Sequence, residues 1–119
     1  VIQRVRHPFN ANLIALAAAE AALDDEQFLV QSRNVNSAGM QQLKSGFDDM
    51  GLKVIPSVAN FLTVDLEREA APINQALLKQ GVIVRPVANY KMPNHLRITI
   101  GSENENRTFL AAFRRAMDA

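Results

Sequence analysis

The chain of 119 residues contains no cysteine. That excludes a disulfide framework, a thiolate metal site and a cysteine nucleophile, and it fits a reducing compartment. An excess of charge of one sign is missing as well. Thirteen Lys and Arg against twelve Asp and Glu leave a formal net charge of +1. Nothing in that balance calls for nucleic acid or an anionic membrane as partner. No apolar run approaches the roughly 20 residues of a membrane-spanning helix, and no signal peptide is visible. Histidine is scarce: His7 and His95 stand in different segments without ligand spacing, so no metal site is expected. There is no P-loop, no Gly-x-Gly-x-x-Gly phosphate loop and no Gly-x-Ser-x-Gly elbow.

What is present is ordinary for a globular domain: 48% apolar and 21% charged residues. The length suits one domain, spanning residues 1–119, able to bury on the order of two-thirds of its unfolded surface. The chain starts at Val1, and Val1 to Arg6 has the spacing of a helix end stopped by Pro8. A chain that begins inside a helix reads as a piece of something longer.

The periodicity then gives eight elements. Asparagines at Asn10 and Asn12 suit capping, and Leu13 to Leu23 is an alanine-rich helix whose small residues imply close packing. Asp24, with Gln27 three residues on, reads as a capping box for a helix from about Glu26 to Met50. Val35, Gly39, Leu43, Phe47 and Met50 form its apolar stripe, and Gly51 stops it. The period changes to two at Lys53–Ile55 and again at Asn60–Leu66, where Leu62, Val64 and Leu66 share a face. Pro72 to Gln80 is a helix closed by Gly81, and Val82 to Arg85 is a third strand ended by Pro86. In the fourth strand Leu96, Ile98 and Ile100 alternate with His95, Arg97 and Thr99. Ser102 and Glu105 make a capping box for the last helix, whose buried stripe is Phe109, Leu110, Phe113 and Met117. The order ααββαββα predicts an α/β domain of two-layer, α+β type: a small mixed or antiparallel sheet covered by helices.

Two residues stand out chemically. Arg85 and Arg97 both fall on predicted strands, with Arg97 on the face away from the aliphatic layer. A guanidinium offers a planar fork of donors that suits a carboxylate or a phosphate. If the strands are neighbours, two such groups meet at one sheet end, and like charges at close range call for an anion between them or a nearby acid. Independent surface salt bridges to Asp65 or Glu67 explain the pair as well. Gly101-Ser102, ahead of a helix N-terminus, is a second place for an anion, although capping accounts for Ser102 without one.

Four blocks, taken in order, carry a resemblance. They are Arg6-His7-Pro8-Phe9-Asn10-Ala11-Asn12, Pro56-Ser57-Val58-Ala59-Asn60-Phe61, Gly81-Val82-Ile83-Val84-Arg85 and Met92-Pro93-Asn94-His95-Leu96-Arg97-Ile98-Thr99-Ile100-Gly101. Together they resemble the C-terminal small domain of fold-type I pyridoxal-phosphate enzymes of the histidinol-phosphate aminotransferase family. The resemblance implies that Arg97 binds the substrate carboxylate and that Arg85 helps hold its anionic groups. Asn60 and Tyr90 match positions at the edge of the site, and Pro8 to Asn12, with Asn12 a further site-edge position, match the link to a large domain. It also implies pyridoxal 5'-phosphate as cofactor, amino transfer in histidine biosynthesis, a homodimer and a cytoplasmic location. The family's Schiff-base lysine follows serine or threonine. Here Lys44, Lys53 and Lys79 follow leucine and Lys91 follows tyrosine, so no catalytic lysine is expected in this chain and the fragment alone is expected to be inactive. A threonine-phosphate decarboxylase or an aromatic aminotransferase would share the same domain. A free-standing regulatory module catching an anionic metabolite with Arg85 and Arg97 is the reading from a different class.

Overall fold

The computed structural model describes residues 11–118. The expected helix end at Val1 to Arg6, the stop at Pro8 and the capping role of Asn10 lie outside them. The described residues fall into two units, one through Ser32 and one from Arg33 onward.

In the first unit, helix α1 is Leu13–Leu23. Asn12 begins it as expected: its side-chain oxygen accepts the Ala15 N–H at 2.7 Å. The close packing implied by the alanines does not occur within the unit, because α1 buries none of its residues. Helix α2 is Glu26–Asp48. Its start is capped by Asp25, whose carboxylate accepts the Phe28 N–H at 2.8 Å, rather than by Asp24, which ends α1. The acidic pair thus divides between two helix ends, and a box built on Asp24 and Gln27 does not form.

In the second unit a four-stranded sheet has the order β1-β2-β4-β3, with β1 Lys53–Ile55, β2 Phe61–Asp65, β3 Arg85–Pro86 and β4 His95–Thr99. All three pairings are antiparallel. Helices α3 (Ala70–Lys79) and α4 (Glu103–Met117), with the C-terminal turns of α2, supply the second layer. Leu62, Val64, Leu96 and Ile98 project from β2 and β4 into the core beside Leu43, Phe47, Ile73, Leu77, Phe109 and Phe113. Phe47 meets the rings of Phe109 and Phe113 edge-on, at centroid separations of 6.1 and 5.4 Å. Val35, expected on the buried stripe of α2, is 45% exposed, because burial along that helix begins at Gly39.

The glycine stops work as read. Gly51 (φ 70°) and Gly81 (φ 75°) adopt the left-handed conformation that ends α2 and α3. After α3, the Gly81 N–H donates to the Leu78 carbonyl and the Val82 N–H to that of Leu77. This explains a correction to the third strand. The Val82 N–H closes the helix and is lost to the ladder; Ile83 and Val84 are likewise unpaired, and β3 keeps two residues, with Pro86 inside it opposite Leu96. β3 is an edge strand, where a residue without an N–H is tolerated. Helix α3 starts two residues early, at Ala70, whose N–H donates to the Pro93 carbonyl. The box at α4 forms in full: the Ser102 N–H and hydroxyl both donate to the Glu105 carboxylate, at 2.8 and 2.7 Å, and Ser102 Oγ accepts the Glu105 N–H.

Candidate functional site

Because strands alternate, the residues that face away from the helices form rows across the open side of the sheet. One row joins Ile55, Thr63, Arg97 and Arg85. The row beside it joins Lys53, Asp65 and His95, and the one on the other side joins Phe61 and Thr99. Arg85 and Arg97 are therefore direct cross-strand partners, the juxtaposition that the sequence left conditional on strand adjacency. Cross-strand Cα atoms lie about 4.5–5.5 Å apart, and like charges so placed destabilise a sheet unless something compensates them.

No side chain among the described residues does so. Asp65 is occupied: one carboxylate oxygen accepts the Glu67 N–H at 2.9 Å, and the other lies 3.8 Å from Nε2 of His95. The remaining ion pairs, Arg107 with Glu103 and Arg114 with Asp49, are elsewhere on the surface. The expected alternative of salt bridges from the two arginines to Asp65 or Glu67 is not what the molecule shows. Arg97 is half-buried, its Nε is buried without a hydrogen-bond partner, and its guanidinium carbon sits 4.7 Å from the centroid of the Phe61 ring. The pair thus presents two uncompensated positive charges and free N–H donors on a rigid sheet face, an arrangement that suits a doubly charged or bidentate anion.

The other candidate residues fall in different places. Asn60 is exposed and precedes β2, and its carbonyl accepts the Ile100 N–H at 2.9 Å. That bond fixes the start of β2 against the end of β4, one row from Arg97. Tyr90 is 59% exposed and closes a single 3₁₀ turn, Ala88–Tyr90, in the connection between β3 and β4. Asn12 belongs to the first unit, where its side chain caps α1. Ser102 is engaged by Glu105, and Glu103 and Glu105 load that helix N-terminus with negative charge, so the anion alternative at Gly101-Ser102 is disfavoured. The Glu105 carboxyl is held below its usual value by the hydrogen bond from the Ser102 hydroxyl and then by that from the Ser102 N–H. A cleft of about 440 Å³ between α2 and α4 is lined by Val35, Ala38, Gly39, Gln42, Ser102 and Glu103 and includes neither arginine.

Two features were not read from the sequence. The sequence puts Phe61 on a strand without assigning it a role. An aromatic at an odd-numbered position, on the polar face of β2, was the available signal. The second is Asn106, only 2% exposed on α4. It accepts the Gly101 N–H at 3.0 Å and donates to the Gly101 carbonyl at 3.1 Å, so one amide clamps both polar groups of the residue joining β4 to α4. Among the described residues no group of three or more Asp, Glu or His is placed to hold a metal, and no helix is long and apolar enough to cross a membrane.

An antiparallel sheet, helices on one side and cross-strand arginines on the other, with residues 1–113 matching the family model described as aminotransferase class I and II, define the class: the chain belongs to that family. Among curated relatives, histidinol-phosphate aminotransferase 2 of Pseudomonas fluorescens is 63% identical over 117 residues, which are 98% of this chain and 32% of the relative. That of Pseudomonas aeruginosa is 59% identical over 112 residues, 94% of this chain and 30% of the relative. The solved structure of histidinol-phosphate aminotransferase from Sinorhizobium meliloti in complex with pyridoxal-5'-phosphate superposes with a TM-score of 0.82 at 27% identity, covering 98% of this chain and 33% of that one. The chain spans about a third of the length of the curated relatives it matches.

The four lysines of this chain stand apart from Arg97. Lys53 is the lysine on the open sheet face, and it stands on edge strand β1, two strands from β4. Lys44 lies in α2 and Lys79 at the end of α3, and Lys91 follows the 3₁₀ turn with φ 62°. None of the four is beside Arg97 in the register of the sheet.

Proposed function

We propose that the chain is the C-terminal, substrate-facing domain of a pyridoxal-phosphate-dependent histidinol-phosphate aminotransferase, with Arg97 binding the substrate's carboxylate and Arg85 sharing its anionic load. The observation that carries this reading is the uncompensated arginine pair on the open sheet face, in a chain 63% identical to a histidinol-phosphate aminotransferase. The reaction moves the amino group of histidinol phosphate to 2-oxoglutarate, leaving the corresponding ketone phosphate and glutamate, and runs in reverse from that second pair. Both substrates carry the anions that a guanidinium pair binds, a phosphate on one and carboxylates on the other.

In this division of labour the present chain binds and orients. Fixing an anion in the fork of Arg97 sets the angle at which the reacting carbon is offered, and positional restraint of this kind lowers a barrier without any proton moving on this domain. The cofactor supplies the electron-withdrawing ring and, with a lysine from the remainder of the parent protein, the proton transfers. Asn60 and Tyr90 border the same site from the loops at its rim. Asn12 belongs to the segment linking it to the large domain. A cytoplasmic homodimer belongs to the same reading and rests on the family resemblance.

The test is Arg97→Ala in the full-length enzyme. Truncating one partner of a buried charge pair costs about 2–5 kcal/mol, so kcat/KM for both substrates should fall by roughly that amount. Unaltered kcat/KM would end the assignment.

A further inference from the structure

Arg97 is oriented by a ring and not by an acid. A carboxylate partner would fix the guanidinium but would also occupy its N–H donors and neutralise its charge. The face of an aromatic ring attracts a cation through its quadrupole and takes up none of the in-plane donors. The Arg97 guanidinium carbon lies 4.7 Å from the Phe61 centroid, and no carboxylate among the described residues is within ion-pair distance of it. Phe61 reaches it diagonally, since Phe61 pairs with Thr99, two residues beyond Arg97 on β4. The ring's own anchor is firm. The Phe61 carbonyl accepts the Ser57 hydroxyl at 2.7 Å, Ser57 Oγ accepts the Ala59 N–H at 3.1 Å, and Leu62, the next residue, is fully buried.

We infer that Phe61 is a positioning residue: its ring presents Arg97 to the anionic group of the substrate while leaving the charge and the N–H donors of the fork for that anion. This rests on the reading of Arg97 as the anion-binding residue and adds the element that aims it.

The experiment is a double-mutant cycle in the full-length enzyme, with 2-oxoglutarate as the varied substrate and the melting temperature followed in parallel. Phe61→Leu keeps the apolar volume and removes the ring face, whereas Phe61→Tyr keeps the face. The leucine variant should raise KM about three- to thirtyfold, the range for a cation–ring contact, with a smaller change in kcat. The tyrosine variant should stay close to the parent. In an Arg97→Ala background the leucine change should add no further loss. Equal losses in both backgrounds, or a tyrosine variant as impaired as the leucine one, would mean that Phe61 serves packing alone, and the inference falls. It also falls, with the anion-binding reading intact, if Arg97→Ala weakens the substrate and Phe61→Leu does not. An Arg97→Ala variant with unchanged kcat/KM removes both. Phe61→Met provides the second ring-free variant should the leucine form fail to fold.

Discussion

At the scale of single residues, the proposed anion site calls for a fork and not merely for a charge. Lysine at position 97 would keep the positive charge but lose the planar pair of donors. Arg97→Lys should therefore raise KM for the anionic substrate about tenfold, the worth of one charge-assisted hydrogen bond, as measured in steady-state kinetics of the full-length enzyme. Asn106 is a second residue with a separable effect. Its amide satisfies both the N–H and the carbonyl of Gly101 in a position only 2% exposed. Asn106→Ala leaves those groups without their partner and should destabilise the fold by about 2–4 kcal/mol in urea unfolding. Of this scale the sequence showed a part. Arg97 was legible because period-two alternation assigns a side unambiguously. The contact with Phe61 was not: the same alternation puts its ring on the polar face, but that it reaches Arg97 depends on the β2–β4 register, which no local pattern encodes. Asn106 was illegible because its partner is backbone, which carries no residue signature.

At the scale of elements, what is local was readable. Gly51, Gly81 and the Ser102–Glu105 box are set by neighbours within five residues, and all three terminate or start helices as the sequence predicts. The third strand is shorter than its composition predicts for the same reason in reverse. Val82 to Val84 have strand composition, but a helix end nearby claims the Val82 N–H. The box makes a pH prediction. The Glu105 carboxyl is depressed in the folded protein, so its contribution to stability is present above the unfolded carboxylate value and is lost as pH falls through the lower folded value. Glu105→Gln should lower the melting temperature at neutral pH, and the gap to the parent should close as pH falls towards about 3, as seen by comparing melting temperatures across that range. Helix packing supplies another test. A Cβ on Gly39 would lie 2.6 Å from Ile100 Cγ2, 2.7 Å from Asn106 Nδ2 and 2.9 Å from the Gly101 carbonyl oxygen. The last of these is backbone, so Gly39→Ala should cost about 1–3 kcal/mol despite the better helix propensity of alanine.

At the scale of the whole molecule, the hydrophobic cluster is drawn from Leu43 through Ala116, all within the second unit. A chain of residues 33–118 should accordingly keep a cooperative thermal transition and the far-UV circular dichroism of the sheet-and-helix layer. Loss of cooperativity on that truncation would show that residues before Arg33 stabilise the core. The two-layer architecture was legible from element order, because four strands with intervening helices have few ways to bury one face. The strand order was not: β1-β2-β4-β3 depends on long-range pairing that no local pattern encodes.

The alternation that aims Arg97 outward also sends Leu96 and Ile98 inward, where they are 0% and 3% exposed. A slip of one residue between β2 and β4 would drive the guanidinium into the phenylalanine cluster and the aliphatics into water. Misregistered chains are thus disfavoured by the core. The packing that sets this register therefore also puts Arg97 on the open face.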